Sequence, residues 1–168
     1  MNNIILIGFM GSGKTTVGKE LAKTLSFDFC DSDTLIEKKA GQSVKEIFAV
    51  HGEPYFRGLE TDLVKELTGQ ISNTVLSVGG GLPIQPGNAE LLHRLGTVIY
   101  LSANRNSIKS RLAGDSTRPL LNGSGGESRF EKLYTYREPI YKAVSNLMIT
   151  TDNKNIEEIV RDILNNWR

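Results

Sequence analysis

Residues 8–15, Gly8-Phe9-Met10-Gly11-Ser12-Gly13-Lys14-Thr15, fit the pattern of a glycine, four residues of any type, and then Gly-Lys followed by Ser or Thr. The preceding residues, 3–7, form a continuous apolar run typical of a strand buried on both faces. The following apolar residues recur at helical spacing: Val17, Leu21, Ala22 and Leu25. A loop between a buried strand and a helix N-terminus favours a bound anion, because backbone N–H groups and the helix dipole point at it. The stretch therefore predicts a phosphate-binding loop within an α/β fold, rather than a glycine-rich turn with a chance lysine.

The residue types in this loop suit a nucleoside triphosphate with its metal ion. Glycines let the backbone approach a phosphate without an intervening Cβ. In this motif Lys14 can reach the β- and γ-phosphates, and the Thr15 hydroxyl can ligate Mg²⁺.

Length and composition describe an ordinary globular protein. The 168 residues are 39% hydrophobic and 23% charged, which predicts a single domain over residues 1–168. The net charge of +1 argues against nucleic acid or a membrane surface as the main partner. One cysteine, Cys30, permits no internal disulfide, and with two histidines it argues against a zinc site. No leader segment, membrane-length apolar run or exposed apolar stripe is visible, so we expect a cytoplasmic monomer.

Apolar periodicity predicts strands that alternate with helices along the chain. The strands are expected at 3–7, 27–30, 74–78, 97–101 and 146–150. The helices are expected at 14–25, 33–40, 43–50, 53–68, 88–94, 105–113, 127–143 and 155–167. Alternation with short connections predicts a parallel sheet covered by helices on both faces.

The segment from Ala113 to Ser128 differs from the rest of the chain. It is rich in Gly, Ser, Asp and Asn, yet it contains the run Arg118-Pro119-Leu120-Leu121. A long polar loop that carries a basic residue within a compact domain is often a lid over an active site. We expect such a lid at about 113–124, with a passive surface loop as the alternative.

Ligands of an open parallel sheet bind beyond the carboxyl ends of its strands. The second predicted strand ends at Asp31-Ser32-Asp33. Two carboxylates next to a phosphate and a metal favour one near Mg²⁺ and one near an acceptor hydroxyl. The alternative is that Asp33 caps the next helix and Asp31 is solvated. Because no acid ends the third or fourth strand, Asp31 is the better candidate for holding Mg²⁺ through water.

The third predicted strand ends at Gly79-Gly80-Gly81. Three glycines favour a close approach of the backbone to a ligand, with a tight turn before Pro83 as the alternative. Arg57 lies three residues before Glu60 on a predicted helix, so Glu60 could hold its guanidinium in place. Three arginines expected beside one phosphate site indicate binding of an anionic acceptor and of a transferring phosphoryl group: Arg57, Arg118 and Arg137.

Over essentially its whole length the chain resembles the shikimate kinases. Six motifs carry the resemblance, and their ordered set is far more specific than the phosphate-binding loop alone: residues 8–16, 31–37, 52–60, 79–81, 118–121 and 136–141. The resemblance implies a three-layer P-loop kinase fold, with a five-stranded parallel sheet flanked by helices and a mobile lid. It also implies ATP- and Mg²⁺-dependent phosphorylation of the 3-hydroxyl of shikimate. That reaction gives shikimate 3-phosphate and ADP, on the route to chorismate and aromatic amino acids.

The resemblance also implies roles for individual residues. The nucleotide-binding positions are Gly11, Ser12, Gly13, Lys14, Thr15, Thr16, Arg111 near adenine, and Arg118 on the lid. The shikimate-binding positions are Asp33, Arg57, Gly79, Gly80, Gly81 and Arg137. The catalytic residues are Lys14, Asp33 and Arg118, and the metal-binding residues are Thr15 and, through water, Asp31. The adenine loop falls at 151–154, where this chain lacks an arginine that many relatives carry.

Other functions are weighed on the same residues. Gluconate kinases and nucleoside monophosphate kinases are sibling alternatives. Arg57 and Arg137 favour a carboxylate acceptor, which excludes nucleosides, whereas gluconate shares that group with shikimate. A catalytically idle nucleotide-binding regulator would have no need of the intact set Lys14, Thr15, Asp33 and Arg118.

Overall fold

The computed structural model describes residues 2–113 and 125–167, without the side chain of Glu127. In chain order, the elements within these ranges are β1 (Ile4–Ile7), α1 (Lys14–Leu25), β2 (Asp28–Asp31), α2 (Ser32–Ala40), α3 (Val44–His51), α4 (Glu53–Leu67), β3 (Thr74–Ser77), α5 (Asn88–Leu95), β4 (Thr97–Ser102), α6 (Arg105–Leu112), α7 (Gly126–Val144), β5 (Leu147–Thr150) and α8 (Ile156–Trp167). The predicted helices and strands are confirmed, with ends that move by at most one residue.

The five strands form one parallel sheet in the order β2-β3-β1-β4-β5. Strand β1 lies at its centre: Ile5 pairs with Leu76 of β3 on one side and with Val98 of β4 on the other. Strands flank both edges of β1 and helices cover both of its faces, which explains why all four of its residues are apolar and fully buried. This order places the carboxyl end of β3 directly beside the phosphate-binding loop.

Helices cover both faces of the sheet, as the alternating pattern predicts. On one face Ile5 and Ile7 pack in a cluster with side chains of α4, α5 and α7. On the other face Ile4 and Leu6 pack with side chains of α1 and α8. A third, smaller cluster joins α2, α3 and α4: Ile36, Ile47, Phe56 and Leu63. The three-layer α/β fold is therefore confirmed, and α2–α4 have a small core of their own.

Two further features that the sequence analysis considered are the lid and a membrane-spanning segment. The predicted lid at 113–124 lies outside the described residues apart from Ala113, and so does Arg118. Among the helices of residues 2–113 and 125–167, none combines the length and the apolar character needed to cross a membrane.

Asn3, just before β1, ties three parts of the chain together. Its side-chain amide donates to the carbonyl oxygens of Ile71 and Leu95, at 3.1 and 2.9 Å, and its Oδ1 accepts the N–H of Thr74 at 3.1 Å. The residue is 1% exposed. These three bonds therefore fix the starts of β1 and β3 against the end of α5.

Replacing Asn3 with alanine should destabilise the fold, because it leaves three backbone groups without their partner in a buried place. We expect Asn3→Ala to lower the free energy of unfolding by about 2–4 kcal/mol. The exposed neighbour Asn2 provides the control, and Asn2→Ala should change it by less than about 0.5 kcal/mol. Urea denaturation of both variants measures the difference, and equal stabilities would contradict the role given to Asn3.

Candidate active site

The phosphate-binding loop runs from the end of β1 to the first turn of α1. Gly8 is needed there for packing, since a Cβ at this position would lie 2.7 Å from the carbonyl oxygen of Leu101 in β4. Ser12 is 2% exposed, and its N–H closes a turn onto the carbonyl oxygen of Phe9 at 3.1 Å. Helix α1 begins at Lys14, so its unpaired N-terminal N–H groups face the space above the loop.

Two cationic side chains contact this loop from opposite ends. Lys14 Nζ donates to the carbonyl oxygens of Gly8 and Phe9, at 2.9 and 3.1 Å. Arg111, from α6, donates through Nη1 to the carbonyl oxygen of Gly11 at 2.9 Å. Both cations therefore lie within reach of an anion that binds over the loop.

Asp31 links the loop to helix α2. Its Oδ1 accepts the N–H groups of Asp33 and Thr34, at 3.0 and 3.3 Å, and so caps the helix. Its Oδ2 accepts a hydrogen bond from the Thr15 hydroxyl at 3.1 Å. The alternative in which Asp33 caps α2 and Asp31 is solvated is therefore wrong. Asp33 lies inside the first turn of α2 and does not cap it.

The backbone of residues 79–81, after β3, runs directly against charged side chains. A Cβ on Gly79 would lie 3.0 Å from Asp33 Oδ1 and equally 3.0 Å from Glu60 Oε2. The N–H of Gly79 donates to the Ser32 hydroxyl at 2.9 Å, which fixes the turn against α2. The carbonyl oxygen of Gly79 also closes a turn by accepting the N–H of Leu82 at 3.1 Å. The tight turn is therefore present, and the groups that the backbone approaches here are the protein's own charges. A close approach to a ligand stays a prediction.

The next two glycines approach arginines. A Cβ on Gly80 would lie 3.0 Å from Arg137 Nη1 and 3.2 Å from Tyr141 Oη. A Cβ on Gly81 would overlap the guanidinium of Arg57. Glycine at these positions makes room for the two guanidinium groups.

Arg57 is held by two carboxylates of its own helix, α4. Its Nη1 donates to Glu60 Oε1 at 2.7 Å, as the sequence predicts. Its Nε and Nη2 donate to Glu53 Oε1, at 3.2 and 3.0 Å. The Arg57 side chain is 11% exposed, and that of Glu60 is fully buried. Burial raises the pKa of Glu60 to about 7 although the cation of Arg57 lowers it.

Arg137 reaches the same turn from helix α7. It is 4% exposed, and its guanidinium lies 5.9 Å from the ring centre of Phe9 in the phosphate-binding loop. Tyr141, one turn further along α7, donates its hydroxyl to the carbonyl oxygen of Gly80 at 2.6 Å. Burial raises the pKa of Tyr141 to about 12, so the hydroxyl remains a donor at neutral pH. Arg137 therefore lies between the loop and the glycine turn.

One cleft of about 760 Å³ joins these groups. It is lined by thirteen of the residues that the sequence nominates: Gly11, Gly13, Lys14, Thr15, Thr16, Asp31, Asp33, Arg57, Gly79, Gly80, Gly81, Arg111 and Arg137. Ser12 is not among the lining residues, and Arg118 lies outside the described ranges. The sequence did not nominate several other lining residues: Glu37, Val44, Lys45, Phe48, Phe56 and Glu60. In the sequence most of these resemble ordinary helix residues, whereas the spacing of Glu60 from Arg57 indicated their ion pair.

The fold and the cleft define a kinase of the phosphate-binding-loop class. A family model described as shikimate kinase matches residues 10–168. A shikimate kinase from Caldanaerobacter subterraneus is 43% identical over 164 residues, which cover 98% of this chain and 95% of that protein. One from Geobacter sulfurreducens is 45% identical over 161 residues, 96% of this chain and 88% of that protein. The chain belongs to the shikimate kinase family.

A solved structure agrees with this membership. The shikimate kinase from Acinetobacter baumannii, determined in complex with shikimate, superposes with a TM-score of 0.92 at 38% identity. The match covers 98% of this chain and 91% of that one. The likeness therefore extends through both the loop and the glycine turn.

A methyl group added at Gly81 should displace the Arg57 guanidinium without unfolding the protein, because the atoms it meets are at the end of a side chain. We expect Gly81→Ala to weaken binding of an anionic acceptor at least ~10-fold while nucleotide affinity is retained. The control is Gly58→Ala on α4, next to Arg57, where an added Cβ meets nothing within 4 Å. Calorimetric titration of both ligands measures the effect, and an unchanged acceptor affinity in Gly81→Ala would contradict it.

Proposed function

We propose that this chain transfers the γ-phosphoryl group of ATP to the 3-hydroxyl of shikimate, giving shikimate 3-phosphate and ADP for the synthesis of chorismate and aromatic amino acids. The observation that carries this proposal is a cleft that joins a phosphate-binding loop to two arginines, Arg137 buried and Arg57 11% exposed. A triphosphate suits the loop, and a planar carboxylate suits paired guanidinium groups. Family membership supports the same substrates.

The acceptor is proposed to bind between α4, α7 and the glycine turn. Arg137 is buried against Phe9, and Arg57, 11% exposed, is held by Glu53 and Glu60. Little side-chain entropy is therefore lost when a carboxylate binds them. The backbone of residues 79–81 forms the floor of this subsite. Asp33, in the first turn of α2, lies against Gly79 of this turn and is proposed to receive the 3-hydroxyl.

ATP is proposed to bind with its phosphates over the loop. The N–H groups at the start of α1 and the amine of Lys14 would contact the β- and γ-phosphates, with Gly11, Ser12, Gly13 and Thr16 around them. Lys14 now donates to two loop carbonyls, and those bonds keep its amine over the loop. Arg111 is proposed to lie near adenine. Arg118 on a lid at about 113–124 remains a prediction from the sequence.

The oxygen donors at the edge of the loop fit Mg²⁺. The Thr15 hydroxyl and Asp31 Oδ2 lie 3.1 Å apart, and both are the hard oxygen ligands that this ion prefers. We propose that Thr15 would hold the ion directly and Asp31 through water. When bound, Mg²⁺ neutralises charge on the β- and γ-phosphates.

Phosphoryl transfer then needs mainly positioning and charge stabilisation. The shikimate oxygen attacks the γ-phosphorus, the bond to the β–γ bridging oxygen breaks, and ADP leaves. Asp33 is proposed to orient the attacking hydroxyl and to accept its proton. Lys14 is proposed to stabilise the charge on the phosphoryl oxygens.

We further propose a cytoplasmic monomer of one domain that acts on small molecules and not on nucleic acid or membranes. The near-neutral charge supports the absence of nucleic acid and anionic membranes as main partners. The cytoplasm supplies ATP. The elements proposed to bind shikimate, α4, α7 and the glycine turn, all belong to one chain. Sedimentation of the purified protein tests the monomer.

The activity itself is tested by coupling ADP formation to a spectrophotometric readout. With ATP and Mg²⁺ we expect turnover with shikimate that exceeds turnover with gluconate or nucleoside monophosphates at least ~100-fold in kcat/KM. Gluconate is the sharpest comparison because it also carries a carboxylate. A preference for gluconate or a nucleotide would show that shikimate is not the preferred acceptor. Absence of turnover with every acceptor would contradict kinase activity.

Asp33→Asn keeps the shape of the side chain and removes its charge. We expect turnover to fall about 100-fold or more, with ATP binding retained, because the hydroxyl loses its proton acceptor. Folding stability should hold, since Asp31 and not Asp33 caps α2. The control is Asp62→Asn on the exposed side of α4, which should leave turnover unchanged. A fully active Asp33→Asn enzyme would remove Asp33 from the catalytic residues.

A further inference from the structure

Glu60 is a fully buried carboxylate whose two oxygens have different surroundings. Oε1 accepts a hydrogen bond from Arg57 Nη1 at 2.7 Å. Oε2 is buried too and accepts no hydrogen bond from any residue within the described ranges. A buried carboxylate oxygen without a donor disfavours the ionised form, whereas a proton on that oxygen removes the penalty. The local geometry therefore leaves a place for one proton.

The charged groups that face Glu60 come from three helices. Arg57 belongs to α4, like Glu60 itself, and is shared with the carboxylate of Glu53. Asp33 approaches from α2, on the other side of Gly79, and Arg137 approaches from α7. Burial is the largest influence and raises the pKa of Glu60 to about 7; Asp33 adds to the rise, whereas Arg57 and Arg137 oppose it. The ionised form of Glu60 depends on these two arginines.

The proposed function brings a second carboxylate to the same two arginines. The bound acceptor competes with Glu60 for their positive charge and removes water from the cleft. Both changes favour the neutral form of Glu60. We propose that Glu60 takes up a proton when the carboxylate of the acceptor binds, so that it serves as a protonatable positioning residue for Arg57. This inference rests on the proposed function.

Proton uptake gives acceptor binding a defined dependence on pH. At a pH well below 7, but above the range in which the acceptor's own carboxylate is protonated, Glu60 already carries its proton and affinity is insensitive to pH. Above pH 7 the proton must come from the solvent, and each further pH unit lowers the affinity by up to about tenfold. At pH 7 the uptake is expected to be roughly half a proton per acceptor bound, because a half-protonated group gains at most the other half.

Calorimetric titration of shikimate into the enzyme at pH 7 measures this uptake directly. The titration is repeated in buffers with different enthalpies of ionisation, and the slope of observed against buffer enthalpy counts the protons. We expect roughly half a proton for the original chain and none for Glu60→Gln, which keeps the shape of the side chain. The matched control is Glu53→Gln, which removes the other, half-exposed carboxylate from Arg57 and should retain the uptake.

The outcomes separate this inference from the proposed function. Binding of shikimate with the same heat in every buffer overturns the inference alone. Uptake that persists in Glu60→Gln also overturns it, because the proton then goes to another group such as Asp33. If Glu60→Gln does not fold, the same buffer series on Asp33→Asn decides: uptake that persists in this variant supports Glu60, and loss of the uptake overturns the inference. Absence of shikimate binding overturns the proposed function as well.

Discussion

The main chain of residues 79–81 lies directly against charged groups carried by three helices, and most of the site depends on this contact. Asp33 of α2, Arg57 of α4 and Arg137 of α7 all meet the turn where any side chain would stand in their way. The strand order explains how the turn comes to face the phosphate-binding loop, because β3 is hydrogen-bonded to β1. This close approach of the backbone to charged side chains thus brings the proposed acceptor subsite and the phosphate-binding loop into one cleft.

Burying these charges carries a cost that the surrounding contacts offset. A charge that leaves water is strongly destabilised unless a partner is present, and Arg57 has two carboxylate partners on its own helix. Tyr141 holds the turn through the carbonyl oxygen of Gly80, so the backbone beside Arg137 is fixed as well. Arg57 and Arg137 are therefore largely desolvated and oriented in advance, which is the arrangement that makes electrostatic stabilisation effective.

The sequence predicts the fold well because the fold depends on local patterns. The apolar run before Gly8 and the periodicity of the helices are properties of neighbouring residues. The spacing of Arg57 and Glu60 likewise predicts their ion pair correctly. The cap of α2 is different: Asp31 and Asp33 are both plausible caps from sequence, and only the backbone geometry at the end of β2 decides for Asp31. Glu60 Oε2 accepts no hydrogen bond from the described residues because of how α2, α4 and the glycine turn meet. These elements are far apart in the chain, so no local sequence pattern reveals this.

The glycine turn also has a consequence for inhibition. A compound that packs on residues 79–81 contacts main chain, and the usual route to resistance is a larger side chain that pushes the compound out. Here the added atoms at Gly81 would displace Arg57 first, so the change that displaces the inhibitor would also damage the proposed acceptor subsite. Phe48 and Phe56 of the cleft wall offer no easier route, because their ring centres lie 5.9 and 5.5 Å from the same guanidinium.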